Sequence, residues 1–117
     1  MKKDYSCQND IKITVKENNK IRQINIGDIS YIKCDSYVST IHFIDADKSI
    51  SITKLLKRFE IELSEFGFIR ANRSCLVNVR YIKSIEICKN TKLTLVSDEN
   101  ISISVRQLPK IKKIMDN

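Results

Sequence analysis

Apolar and polar residues alternate along most of the chain, and this period of two is interrupted once. Ile11, Ile13 and Val15 alternate with Lys12, Thr14 and Lys16, as in a half-buried strand. Glu17-Asn18-Asn19-Lys20 is a polar turn, and Ile21, Ile24 and Ile26 predict a partner strand that Gly27-Asp28 ends. Ile29 to Cys34 predicts a third strand, broken at Asp35-Ser36. Tyr37 to Ile44 resumes it, with Val38, Thr40, His42 and Ile44 on one face and Tyr37, Ser39, Ile41 and Phe43 on the other. After a turn at residues 45–48, Ser49 to Ile52 is a short strand with Ile50 and Ile52 inward.

The period then changes. Leu55, Leu56, Phe59, Leu63 and Phe66 recur at helical spacing, which predicts one amphipathic helix near residues 54–65. Thr53 is its expected N-cap and Gly67 its C-terminal stop. Beyond it, Phe68-Ile69-Arg70 is a short strand, and the mixed residues 73–78 suggest a turn. Tyr81 to Ile87 and the pair Leu93 and Leu95 alternate again, and Ile101, Ile103 and Val105 predict a final strand. Lys110 to Met115 predicts a short C-terminal helix. Ser104 and Gln107 fit a capping box, but Pro109 prefers a start at Arg106 or Gln107. The expected fold is therefore mostly β, with short antiparallel strands in small sheets, one amphipathic helix and a short terminal helix. Residues 1–10 carry no period and are expected to be a frayed N-terminal extension to one domain over residues 11–117.

Composition narrows the chemistry. The 117 residues suffice for one core without metal or disulfides. Gly27 and Gly67 lie too far apart for a phosphate-cradling loop, and the lone His42 is expected to be an ordinary sheet residue. Cys7, Cys34, Cys75 and Cys88 include no close pair for zinc and are expected to be reduced, although Cys75 near Arg73 could be a slightly activated thiol. No cofactor, membrane insertion or enzymatic activity is expected, because no nucleophile, base and orienting group can be assembled. Lys and Arg total 21 against 14 Asp and Glu, and the resulting charge of +7 favours polyanionic partners.

Three segments in fixed order carry a family resemblance. The first is Asp28-Ile29-Ser30-Tyr31-Ile32-Lys33 with Tyr37-Val38-Ser39-Thr40-Ile41-His42. The second is Gly67-Phe68-Ile69-Arg70-Ala71-Asn72-Arg73-Ser74-Cys75-Leu76-Val77-Asn78 with Tyr81-Ile82-Lys83-Ser84-Ile85. The third is Ile101-Ser102-Ile103-Ser104-Val105-Arg106. Together they resemble the LytTR family of bacterial DNA-binding domains from about residue 11 to 115, most specifically in the middle segment.

That resemblance implies a cytoplasmic transcriptional regulator of the two-component, response-regulator type. It would read double-stranded promoter DNA at direct repeats, through loops that enter successive major grooves. Two copies on the DNA follow, as does a receiver domain, kinase or membrane regulatory partner outside this chain. With no receiver-like segment, the chain is expected to be a stand-alone regulator or a piece of a longer one. Residue by residue, the resemblance assigns base contacts to Arg73, Arg106, Ser39 and Asn72, and backbone contacts to Arg70, Lys83 and Tyr37. Asn72 stands where the commonest family form has His. Arginine suits the base-reading role because its guanidinium bonds guanine through two parallel hydrogen bonds. The alternative readings are a basic β-domain binding RNA or single-stranded nucleic acid, and a protein-interaction module.

Overall fold

The computed structural model describes residues 6–45 and 47–116. Strands β1 (Lys12–Glu17) and β2 (Lys20–Asn25) pair as an antiparallel hairpin, with Lys12 opposite Asn25 and Glu17 opposite Lys20. Asn18 takes a left-handed φ of 56° at its turn, a conformation that Asn tolerates. Ile13, Val15 and Ile24 face the core, whereas Ile21 faces solvent.

Strands β3 (Ile29–Asp35), β4 (Val38–Phe43), β5 (Ser49–Thr53), β6 (Phe68–Asn72) and β7 (Cys75–Asn78) form a five-stranded antiparallel sheet in the order β5-β4-β3-β7-β6. Helix α1 (Leu56–Leu63) connects β5 to β6. Strands β8 (Ile82–Glu86), β9 (Lys92–Leu95) and β10 (Asn100–Ser102) make a three-stranded sheet in the order β10-β9-β8, and helix α2 (Leu108–Met115) closes the chain.

The five-stranded sheet is a middle layer with a core on each face. On one side Ile32, Ile41 and Leu76 pack with Ile13, Val15 and Ile24 of the hairpin and with Phe59 and Leu63 of α1. On the other, Val77 and Ala71 pack with Leu93, Leu95, Ile101 and Ile111, and Tyr31 leans on the same cluster. Each fully buried aliphatic or aromatic side chain contributes roughly 1.5–3 kcal/mol by leaving water.

Several expectations need correction. Residues 75–78 are a strand, not a turn, and all four are buried because β7 is covered on both faces. Residues 8–10 do not fray. Gln8 is fully buried and donates from Nε2 to Asn78 Oδ1 at 3.0 Å, while Asn78 Nδ2 returns a bond to Gln8 Oε1 at 3.1 Å. Residues 1–5 of the expected extension and the Cys7 side chain lie outside the described residues. Thr53 completes β5 opposite Val38, so α1 starts after Leu55 without a side-chain cap. Gly67 does end the helical segment, at a left-handed φ of 92° after a 3₁₀ turn over Ser64–Phe66. Tyr81 lies in a second 3₁₀ turn, Val79–Tyr81, rather than in β8, and its hydroxyl donates to the Gly27 carbonyl.

The final strand stops at Ser102, short of Val105, because the backbone there changes partners. Ile103 N still bonds Thr91 O at 3.0 Å, but Ser104 N donates to Ala71 O at 2.9 Å and draws the chain across to β6. The Ser104 carbonyl, not its hydroxyl, then accepts from Gln107 N and Leu108 N at 3.0 and 3.1 Å. Gln107 is the N-cap residue of α2, and Pro109 sits in the first turn, where its missing N–H costs nothing.

Candidate nucleic-acid interface

Antiparallel register gathers distant loops at one end of the middle sheet. Lys33 of β3 lies opposite Cys75 of β7, so the β3–β4 turn and the β6–β7 turn emerge side by side. Cys34 N ties them directly, donating to Ser74 O at 2.8 Å. The first turn is made by Ser36, at a left-handed φ of 59°, and by Tyr37, which is 71% exposed. The second carries Arg73. A register shift between Arg70 and Asn72 precedes it, a bulge of the kind that re-aims side chains at a strand end.

A third segment joins them. Asn72 Nδ2 donates to Ser102 O at 2.8 Å, and the Ser104–Ala71 bond lies next to it. The chain then turns outward through Val105, 88% exposed, and the exposed Arg106 before entering α2. Neither the Arg73 nor the Arg106 guanidinium makes a hydrogen bond or ion pair with any described residue. Two uncommitted guanidiniums therefore stand on neighbouring loops whose backbones are bonded together. Each retains its full set of donors for a ligand.

The other expected contacts divide. Tyr37 is exposed at the same end. Ser39 is not available. It is completely buried on the inner face of β4, and its hydroxyl donates to Lys54 O at 2.5 Å, so its assignment as a base contact is corrected. Arg70 also turns inward, with its side chain 20% exposed. Its Nε lies 3.2 Å from Glu60 Oε1 of α1, an ion pair without hydrogen-bond alignment, and its Nη1 donates to Arg73 O at 2.6 Å. Arg70 thus braces the loop that presents Arg73.

Asn72 is likewise spent on the protein. Its Oδ1 accepts from Ser74 N at 2.9 Å and from Ser74 Oγ at 3.1 Å, in addition to the Ser102 bond. Lys83 is exposed on β8 and pairs with the still more exposed Asp98 at 3.2 Å. It stands near the Ile82–Leu95 end of its sheet. Sequence reasoning missed Ser74 and Ser102. The Asn-x-Ser spacing at residues 72–74 is a recognisable Asx-turn signal, since Asn bonds the backbone two residues on. Nothing local marks Ser102.

Electrostatics at this end are set by burial. Burial pushes the Cys75 thiol up to about 12, overriding the downward pull of Lys33 and Arg70, so this thiol is not an activated one. Burial, then the Glu99 carboxylate 3.3 Å from its hydroxyl, raise Tyr31 to about 12. His42 stacks on the Tyr31 ring at 4.3 Å, and burial lowers its pKa. Cys34, Cys75 and Cys88 are free thiols.

The fold is a mostly β domain of small antiparallel sheets with two short helices, and its candidate site is a pair of exposed arginines on adjoining loops. Residues 19–116 match the model of the LytTr DNA-binding domain, and the chain belongs to that family. It is also similar to a solved LytTr DNA-binding domain of a Bacillus cereus protein assigned as a methyl-accepting/DNA response regulator. That match has a TM-score of 0.72 and 21% identity, and covers 89% of this chain and 95% of the other. At that identity the likeness establishes a shared fold. A comparison with curated proteins finds no match. The family is one of DNA-binding domains. Among the described residues no helix is long and apolar enough to cross a membrane.

Proposed function

We propose that this domain is a sequence-specific regulator of transcription in the cytoplasm, reading double-stranded promoter DNA at direct repeats. Arg73 and Arg106 read base edges in the major groove. Tyr37 contacts the backbone beside them, and Lys83 makes a flanking phosphate contact by exchanging Asp98 for DNA. Residues 11–117 form the reading domain, and two copies occupy one repeat pair. A receiver, kinase or membrane partner outside this chain supplies the signal.

The observation that carries this reading is the pair of exposed arginines, without partners among the described residues, on loops that are bonded to each other. An arginine held only by its backbone can form the bidentate contact to guanine that discriminates bases. Single-stranded nucleic acid is less well served. A stacking platform needs several exposed rings, and Tyr37 is the one exposed aromatic among the described residues.

Binding of a promoter duplex and a scrambled duplex at one salt concentration tests the assignment. Arg73→Ala and Arg106→Ala should each cost about 1–3 kcal/mol on the promoter and little on the scrambled duplex. Equal losses on both duplexes would make these arginines electrostatic anchors and defeat the reading.

A further inference from the structure

We propose that Asn72 is a positioning residue that fixes Arg73 and Arg106 relative to each other, and that it contributes to sequence specificity only through them. The inference rests on the reading of both arginines as base contacts. Three observations carry it. The two oxygen-side bonds of Asn72, to Ser74 N and Ser74 Oγ, set the conformation of the turn that holds Arg73. Its amide nitrogen reaches the other way, to the Ser102 carbonyl 30 residues later in the chain, at 2.8 Å. Ser102 ends β10, and Arg106 follows four residues on.

One side chain thus spans the two segments that present the guanidiniums. A backbone bond from Ser104 N to Ala71 O reinforces the link but does not set the turn. Arg70 braces the opposite side of the same turn through the Arg73 carbonyl. Because both polar atoms of the Asn72 amide are engaged, its strong bonds are already made inside the protein. A bidentate contact to adenine would require breaking them.

Two contacts held at a fixed separation discriminate better than two that move independently, because the cost of ordering them is met before DNA arrives. Removing the link should therefore affect promoter binding selectively. Asn72→Ala should weaken the promoter duplex roughly tenfold while leaving the scrambled duplex within about twofold, given the 1–3 kcal/mol typical of one specific base contact. Asn72→Asp keeps an acceptor for Ser74 and sets a carboxylate against the Ser102 carbonyl. It should lower the promoter-to-scrambled ratio to a similar degree, separately from any uniform loss due to its charge.

The deciding experiment repeats Asn72→Ala in an Arg73→Ala/Arg106→Ala background, with thermal melting of each variant to confirm a folded domain. A positioning residue has nothing left to position there, so promoter affinity should not fall further. If Asn72→Ala costs the same factor with and without the arginines, Asn72 touches DNA itself and the positioning role is overturned. It is overturned equally if the single arginine variants lose promoter selectivity and neither Asn72 variant does. Arginine variants that weaken both duplexes alike would instead strike down the base-reading assignment, and the positioning role with it. Should Asn72→Ala prove unfolded, the Asn72→Asp arm decides, because its acceptor preserves the turn.

Discussion

Cys75 lies at the start of β7, directly behind the Arg73 turn, and its buried thiol holds its proton up to about pH 12. Tyr31, on the same face of the middle sheet, does likewise. Both native values lie above the ordinary ones of 9.0 and 10.0. Between those limits the folded chain binds more protons than the unfolded chain, so stability must fall as pH rises. The contribution is complete below about pH 9 and is lost as pH climbs through about 12. His42 acts on the acid side. Burial lowers its native pKa below 6.5, so stability also declines as the pH drops beneath that value. Urea midpoints measured across this range should fall at both ends, and Cys75→Val should flatten the alkaline limb. An unchanged alkaline limb would mean that Cys75 does not hold its proton. Single residues were unevenly legible in the sequence. The alternation already placed Ser39 on the face of Ile41 and Phe43, and the structure buries all but the last of these. The family resemblance pointed the other way, and the alternation was the better guide. The inward turn of Arg70 had no such signal, because its partner Glu60 belongs to another element.

β1 and β5, each with one face in water, showed their period in the sequence, whereas β7, covered on both faces, did not. β1 and β5 alternate because one face is wet, and their buried residues are Ile13, Val15, Ile50 and Ile52, as the pattern predicts. β7 has no wet face, so Cys75-Leu76-Val77-Asn78 shows no period, and the buried polar Asn78 disguised it further. The Asn78 amide oxygen accepts from Arg80 N at 3.1 Å, a local Asx-turn bond, but the side chain's bonds to Gln8 and to Ile29 O at 2.9 Å reach far along the chain and leave no local trace. Helix α1 shows the converse. Its amphipathic spacing was plain, but its first residue was not, since Thr53 serves as well in a strand edge as in a cap. The stripe itself makes a sharp test. Phe59 is fully buried against the first core, while Ile61, two residues on, is 68% exposed. Phe59→Ala should cost about 3–5 kcal/mol in urea denaturation, whereas Ile61→Ala should stay within about 0.5 kcal/mol of the parent. A large loss at Ile61 would mean that this face of α1 is covered in the native protein.

Charge organises the molecule as a whole more than its net value suggests. The sequence carries seven positive charges in excess, and five of its basic side chains are engaged in ion pairs among the described residues. Arg22, Lys48, Lys54, Arg70 and Lys83 are paired with acidic neighbours. Arg73 and Arg106 have no such partner among the described residues, and Lys110, Lys112 and Lys113 extend exposed positive charge along α2 beyond Arg106. A polyanion meeting the loop end would therefore find cations with no partner to displace, and each phosphate neutralised would release condensed counterions. Log affinity for duplex DNA should fall linearly with log salt, with a slope of about 0.9 for each phosphate contacted. Lys112→Ala or Lys113→Ala tests whether α2 belongs to that surface. Lys83→Ala tests the β8 surface, where binding must first break the exposed pair with Asp98. Such exposed pairs are worth under about 1 kcal/mol, so the exchange is feasible and the slope should drop by roughly one unit on promoter and scrambled duplex alike. Arg73→Ala and Arg106→Ala should differ from these lysine changes by discriminating between the two sequences. A slope that stays constant in Lys83→Ala would confine the footprint to the loop end, and a slope near zero in the parent would remove the polyelectrolyte basis of binding altogether.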